Sequence, residues 1–195
     1  MNKSILKSRN TRTGARGASL IMVLLILVVV SLLGVGGAQI ALMSERGARN
    51  DRDMQIAWQA AEAALVDAEL DMSNFRTAVF DNKSQKQFVV GCGTSGQTIG
   101  LCAQDLSVKK PAWLIVDFTA TGNSAPTAEF GAFTTRGFAA GATGIQPAKA
   151  PRYVIELVPD PVGDKSNPSF MYRVTSMGFG PRADIQGVLQ MIYRL

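Results

Sequence analysis

The chain has 195 residues, enough for one modest domain beside any membrane segment. Its net charge of +5 would suit a nucleic-acid partner, but five of its 20 basic residues precede Ala18, where no acidic residue occurs. The remainder carries 15 basic and 15 acidic residues, so we expect no nucleic acid as a partner. The absence of histidine removes the commonest metal ligand and the commonest general base.

An uncharged apolar segment of 26 residues runs from Ala18 to Met43. It exceeds the roughly 20 residues that a membrane-spanning helix needs, and the roughly 7–15 of a signal-peptide core. A signal peptide cut within 34–38 remains an alternative. Basic residues precede the segment and balanced charges follow it, so the positive-inside rule places the N terminus in the cytoplasm and the rest outside.

The helix is predicted to continue to Met72, because residues 44–72 contain no proline and one glycine. Its length from Ala18 would be roughly 80 Å. Apolar residues recur every three or four positions and predict one stripe that packs on a sheet or another helix. They are Met54, Trp58, Ala61, Leu65, Ala68 and Met72.

A simple membrane anchor followed by a linker helix is the alternative for this region. Three glycines count against it, because each weakens a helix by about 1 kcal/mol relative to alanine. A helix that bends, or that packs tightly on other helices, makes better use of them. They are Gly34, Gly36 and Gly37.

Residues 75–195 contain short β-rich runs separated by turn sequences. The last three follow one another closely and predict an antiparallel meander whose apolar face the helix covers. The predicted strands are 88–90, 113–118, 152–158, 170–177 and 185–193.

Two short patterns suggest ligand sites, and both have a simpler interpretation. Residues 91–96 match the dinucleotide pattern G-x-G-x-x-G, but no amphipathic helix follows, which favours a glycine-rich loop. Asp160, Asp164 and Asn167 could bind calcium, but their spacing lacks the dense acidic pattern of known calcium loops. A solvated turn is the favoured interpretation.

Residues 119–150 are rich in Gly, Ala, Thr and Ser. Such a long stretch predicts a mobile loop or a binding surface. Phe130, Phe133 and Phe138 would mark a partner site if they were exposed. Packing of these rings on their own domain is the alternative.

The order of these features carries a resemblance to a known family. A basic leader ends in Arg16-Gly17, a small residue and the apolar helix follow, and then comes RDMQIAWQAAEAALVDAE at 52–69. The C-terminal runs PRYVIEL, YRVTSMGFG and VLQMIYRL add to it. The sequence resembles type IV pilins, in particular the PilX-type minor pilins of type IV pilus assembly.

The resemblance implies an α+β pilin-like fold in which a long N-terminal helix packs on an antiparallel β-sheet head. It divides the chain into a leader (1–17), a transmembrane and filament-core helix (18–43), its amphipathic continuation (44–75) and a head (76–195). It further implies prepilin peptidase cleavage between Gly17 and Ala18 and methylation of the new Ala18 amine. It implies no catalysis, cofactor or metal.

As partners the resemblance implies other minor pilins and the major pilin, contacted through the N-terminal helix. It also implies the prepilin peptidase and the inner-membrane assembly platform, with a tip adhesin as a further candidate. The chain would be an inner-membrane protein with a periplasmic head, and later part of an extracellular pilus. It would serve pilus biogenesis, twitching motility and adhesion. The alternatives are a minor pseudopilin of a type II secretion system and a single-pass periplasmic sensor or enzyme.

One residue departs from the family pattern. Most pilins carry glutamate at the fifth mature position, where this chain has Met22. In the family, that carboxylate meets the free amine of a neighbouring subunit in the filament core. A subunit with nothing above it has no amine to neutralise, so Met22 suggests a tip or initiating subunit, one that primes pilus assembly, rather than a repeated shaft subunit.

The two cysteines, Cys92 and Cys102, are ten residues apart in a glycine-rich stretch. A periplasmic head lies in an oxidising compartment, which favours a disulfide between them. A free pair or a metal-bound pair is the alternative, although two thiolates without further ligands do not complete a zinc site.

Overall fold

A computed structural model describes residues 18–105, 107–108, 110–141, 145–162, 166–167 and 169–194. One helix, α1, covers Ala18–Leu70 and ends in a π-type turn, Asp71–Phe75. Contacts within the chain define two compact units, one up to Ala48 and one from Arg49 onward.

The second unit holds a six-stranded sheet in the order β1-β2-β4-β5-β6, with β3 beside β4. Short 3₁₀ turns at Gly96–Thr98 and Ala112–Leu114 lie in its connections. The strands are β1 (Val89–Val90), β2 (Leu101–Ala103), β3 (Ala128–Glu129), β4 (Arg152–Pro159), β5 (Phe170–Phe179) and β6 (Gln186–Tyr193).

The predicted antiparallel meander is confirmed as β4-β5-β6. The whole sheet is mixed, because β1 and β2 add to it in parallel. The short β3 pairs antiparallel with the start of β4, and β2 pairs with its middle. Strands of two or three residues carry too weak a pattern to be read from sequence, and β2 and β3 were not predicted.

Strand β4 is buried on both faces, which gives the head two small cores. On the helix side, Tyr153 and Ile155 pack in one cluster with Met72 of the π-type turn. On the other side, Val154 packs with Phe118 and the cysteines. The sheet is therefore a middle layer between α1 and the connecting segments.

The predicted strand at 113–118 is wrong. This segment begins as a 3₁₀ turn after Pro111 and lies across the second face of the sheet. The buried Glu156 carboxylate of β4 accepts a hydrogen bond from the Ala112 N–H and so holds the segment there. Trp113, Val116 and Phe118 pack against the sheet instead of extending it.

The predicted apolar stripe of α1 is also wrong in part, because Met54 and Trp58 are 43% and 48% exposed. The buried face consists mainly of alanines, namely Ala57, Ala60, Ala61, Ala64 and Ala68, together with Met72. Side-chain size decides this face. A Cβ atom on Gly178 of β5 would lie 2.1 Å from the Ala57 carbonyl oxygen, so only small residues fit between helix and sheet.

Candidate functional site: the apolar helix and the anchor of the head

The first unit is an apolar helix whose large side chains are all substantially exposed. Between Leu20 and Met43 their exposed fractions run from 46% to 72%. The helix that contains them is long and apolar enough to cross a membrane. An apolar surface of this extent requires lipid or other apolar helices around it.

The start of this helix has no acidic residue in its first turn. Met22 is 69% exposed there, so an apolar thioether occupies the position at which the resemblance expects a carboxylate. Of the predicted cleavage site, Gly17 lies outside the described residues and Ala18 begins α1.

The three glycines of the apolar helix do not interrupt it, since α1 is continuous from Ala18 to Leu70. Among the described residues, nothing lies within 4 Å of the Cβ positions of Gly34, Gly36 and Gly37. They leave a strip of bare backbone, which allows another helix to approach closely.

In the second unit, two fully buried aspartates lie on the alanine face of α1 and its π-type turn. Asp71 accepts hydrogen bonds from Arg76 Nε, at 2.8 and 3.0 Å, and from Arg76 Nη2. The hydroxyl of Tyr153 on β4 donates to the same carboxylate at 2.8 Å. Asp71 thus ties the end of the helix to the centre of the sheet.

Arg76 extends this connection to two loops. Its Nη1 donates to the carbonyls of Gln97 and Ile99, at 2.8 and 3.0 Å, and its guanidinium lies 3.6 Å from the centroid of the Phe133 ring. Burial, and then the Asp71 charge, raise the pKa of Tyr153 well above its ordinary value. The phenol therefore stays protonated and remains a hydrogen-bond donor.

Asp67 makes the second connection, one helical turn earlier. Its carboxylate accepts hydrogen bonds from the Gly131 N–H, at 2.8 Å, and from the Thr134 hydroxyl, and it pairs with Arg136 at 3.5 Å. Gly131 has φ +80°, and a Cβ there would lie 2.0 Å from the Arg136 carbonyl oxygen. The loop that receives Asp67 therefore depends on glycine at this position.

We refer to Asp67, Asp71, Arg76 and Arg136 as the polar anchor. Sequence reasoning missed it, since the predicted stripe contains only apolar residues. The available signal was the spacing of four between Asp67 and Asp71, in register with the alanines. Buried charges are retained only where they are paired, as these are.

The phenylalanines of residues 119–150 pack on their own domain. Phe130 and Phe138 contact each other with ring centroids 5.1 Å apart, and Phe130 is buried. Phe133 is covered by Arg76. Of the two interpretations of this segment, the structure therefore supports internal packing of the rings.

Cys92 and Cys102 are joined by a disulfide in the structure. It closes the glycine-rich loop, in which a Cβ on Gly93 would lie 2.2 Å from the Thr98 carbonyl oxygen. The last glycine of the G-x-G-x-x-G pattern begins only the 3₁₀ turn Gly96–Thr98. The long helix that would bind a pyrophosphate is therefore not formed there.

In the turn considered for calcium, the described side-chain oxygens contact basic residues. Asp160 pairs with Arg194 at 2.8 Å, and Asn167 Oδ1 accepts a hydrogen bond from Lys83 Nζ at 3.0 Å. Asp164 lies outside the described residues. Within the part of the chain that the structure describes, no three His, Cys, Asp or Glu residues are grouped to hold a metal.

Two sequence families match the chain. The family described as PilX N-terminal matches residues 16–66, and the family described as type IV pilus assembly protein PilX C-term matches residues 46–195. This chain belongs to the PilX family of type IV pilus assembly proteins. Searches of curated protein sequences and of solved structures found no significant match.

Membership of the PilX family identifies the exposed apolar helix as the anchor of a membrane-attached pilus component. The family consists of structural pilin proteins that assemble with other pilus components. The surfaces that meet such components are therefore the functional sites of this chain, and the polar anchor is what holds α1 on the head.

Proposed function

We propose that this PilX-family chain is a minor pilin that primes pilus assembly and stays at the pilus tip. The observation that carries the proposal is the uncharged start of α1, with Met22 at the fifth mature position. A buried amine in a filament core is costly unless a carboxylate pairs with it. A tip subunit has no subunit above it and needs no such carboxylate.

In this proposal, residues 1–17 are the leader and residues 18–43 insert into the inner membrane with the N terminus in the cytoplasm. Prepilin peptidase cuts between Gly17 and Ala18, and the new Ala18 amine is methylated. The apolar helix then leaves the membrane and packs against helices of other minor pilins and of the major pilin, with the bare glycine strip at a close contact.

In the same proposal, residues 44–75 are the amphipathic continuation of the helix and residues 76–195 are the head. The alanine face and the polar anchor hold the head on residues 57–71, so the head would enter the pilus attached to this part of the helix. We assign no catalytic role to the chain. Contributions to twitching motility and adhesion would follow from its place in the tip.

The mass of the mature chain tests the processing step. We expect the chain isolated from membranes or pili to begin at Ala18, to carry one added methyl group, and to lack two hydrogens because Cys92 and Cys102 are bonded. A chain that still begins at Met1 would contradict the proposal and favour a single-pass periplasmic sensor or enzyme.

Immunogold labelling of pili tests the tip position. We expect wild-type protein only at pilus ends and Met22→Glu protein also along the shaft, with Met22→Gln as the uncharged control. Wild-type label spread along whole shafts would contradict the tip position. Deletion of the chain should reduce surface pili and twitching, and a secretion defect with normal pili would favour the pseudopilin alternative.

A further inference from the structure

Strand β6 forms one outer edge of the sheet, since it is last in the strand order and pairs only with β5. Gly180 donates to the Ile185 carbonyl, at 2.8 Å, where the hairpin closes. Antiparallel pairs alternate between bonded and non-bonded, so alternate residues of β6 turn their backbone groups away from β5. These outward residues are Gln186, Val188, Gln190 and Ile192.

No second strand of the described chain pairs with this edge, because the strand order ends at β6. Natural proteins protect long edge strands with charges, prolines, bulges or short length. Residues 185–193 contain no charged residue and no proline, and β6 is eight residues long. The opposite edge strand, β1, is only two residues long, which is too short to pair readily with another chain.

Exposed apolar side chains accompany the free backbone groups. Val188 and Ile192 are 41% and 57% exposed. Trp58 of α1 is 48% exposed, and its backbone nitrogen lies 3.2 Å from the position of a Cβ on Gly187 of β6. Two aliphatic side chains and a row of backbone donors and acceptors therefore lie along one border of the head, and the backbone of Trp58 lies beside the same strand.

We propose that the free edge of β6 binds an extended, uncharged segment of another pilus subunit as an additional strand. Backbone hydrogen bonds to Gln186, Val188, Gln190 and Ile192 would supply the pairing, as in other cases of strand addition. An edge without charge selects a segment without charge, because a buried unpaired charge beside it would be penalised. The choice of a pilus subunit as donor rests on the function proposed above.

A second copy of this chain is the alternative occupant. Antiparallel pairing of two β6 strands in one sheet requires a two-fold axis perpendicular to that sheet. Residues 57–72 lie along the sheet, since Ala57 contacts Gly178 and Asp71 contacts Tyr153. The axis would make this part of the helix antiparallel in the two copies, and a concentration-dependent dimer of the purified chain would reveal such pairing.

Charge on the edge is the first test, made in cells that express the full chain. Ile192→Lys should lower the number of surface pili by about tenfold, because it places an unpaired charge beside the added uncharged strand. Val90→Lys on β1 is the matched control, since Val90 and Ile192 are both 57% exposed on edge strands. Equal piliation in the two variants would overturn the proposal.

Proline provides a second variant that spares the fold. Val188→Pro removes an N–H that faces outward and no bond to β5, so we expect a folded, protease-resistant head with few pili. If this variant unfolds, amide exchange of the unmodified chain decides. The amides of Val188, Gln190 and Ile192 should exchange at least about tenfold more slowly in sheared pili than in the detergent-solubilised chain, as paired amides do.

Unchanged exchange of these amides, or protection already present in a concentration-dependent dimer of the purified chain, would overturn the strand-addition proposal. The proposed function fails by a different result. If deletion of the whole chain leaves piliation normal, the minor-pilin role is wrong whatever happens at β6. Reduced piliation on deletion, with normal piliation in both edge variants, leaves that role intact and rejects the edge site.

Discussion

The two parts of α1 show how one helix serves two environments. From Leu20 to Met43 large apolar residues cover the whole circumference, and none of those described is buried. From Ala57 to Ala68 the buried face is made of alanines and one aspartate. The first part matches lipid and other helices, and the second matches a single sheet at close range.

The difference shows that the most hydrophobic residues of this helix are not its most buried residues. The large apolar residues between Leu20 and Met43 are 46% to 72% exposed, whereas the buried face of α1 on the head is made of alanines and paired aspartates. The stability of the head should therefore depend on steric fit and the polar anchor, and should be insensitive to changes in the apolar part.

The polar anchor should give the largest effect. Asp71→Asn leaves the Arg76 side chain, 1% exposed, without its counter-charge, and we expect a loss of about 3–5 kcal/mol in the unfolding free energy of the head. Urea unfolding of the solubilised chain measures it. Asp51→Asn removes the same charge from an exposed position and should change stability by less than about 0.5 kcal/mol. Similar losses of unfolding free energy in the two variants would show that the polar anchor does not stabilise the head.

Steric fit should come next. Gly178→Val places side-chain atoms where even a Cβ would lie 2.1 and 2.3 Å from Ala57 O and Ala61 N, and we expect a loss of about 3 kcal/mol. Gly37→Val, with no described atom within 4 Å of its Cβ position, is the control and should leave the melting temperature of the head unchanged. A head that tolerates valine at 178 would contradict the close approach of helix and sheet.

The disulfide should have a smaller effect. Replacing Cys92 and Cys102 together by alanine removes a crosslink of ten-residue separation, for which chain entropy gives roughly 2–3 kcal/mol. Chemical unfolding measures the unfolding free energy of the double variant, of the oxidised wild type and of the reduced wild type. The value for the double variant should lie below that of the oxidised wild type and close to that of the reduced wild type. Because the crosslink lies within the head, the helicity of residues 18–48 should not change. Loss of that helicity would show that the two regions are not independent.

The sequence predicted what periodicity and charge can encode. The apolar segment, the helix beyond it and the meander β4-β5-β6 were predicted, since each extends over several periods of its pattern. The buried face of α1 was misjudged because Trp58 and Met54 have larger apolar side chains than alanine and so dominated the predicted stripe. Only the glycine on the facing strand, Gly178, reveals that small residues are needed, and that contact is tertiary.

The polar anchor lay beyond the reach of sequence patterns for a similar reason. A charged residue in a helix is usually exposed. The residues around Asp71 in the sequence do not indicate its hydrogen bond with Tyr153, which is 82 residues away. The edge of β6 could be recognised only once the strand order was known. Its lack of charge is visible in the sequence, but its position at the border of the sheet is not.

Acid should produce the smallest effect, and in the head alone, because residues 18–43 carry no titratable side chain. Side-chain and backbone hydrogen bonds from Thr119 lower the pKa of Asp117 below its ordinary value of 3.8, and the bonds from Ser84 and Lys83 do the same for Asp81. A carboxylate with a lowered pKa stabilises the fold above its unfolded pKa, and that contribution is lost as the pH falls through the folded value.

We therefore expect the melting temperature of the head to fall slightly below about pH 4, the range in which carboxylates bind protons. Asp117→Asn should reduce this fall, because the turn no longer depends on a charged acceptor. Asp184→Asn removes an exposed carboxylate that pairs with Arg182 but holds no turn, and it serves as the control. Since the apolar helix has nothing to titrate, its helicity should stay constant over the same range. A parallel loss of helicity in both regions would mean that acid acts on α1 as a whole. The two parts of α1 would then differ in the environment that they match but not in their stability to acid.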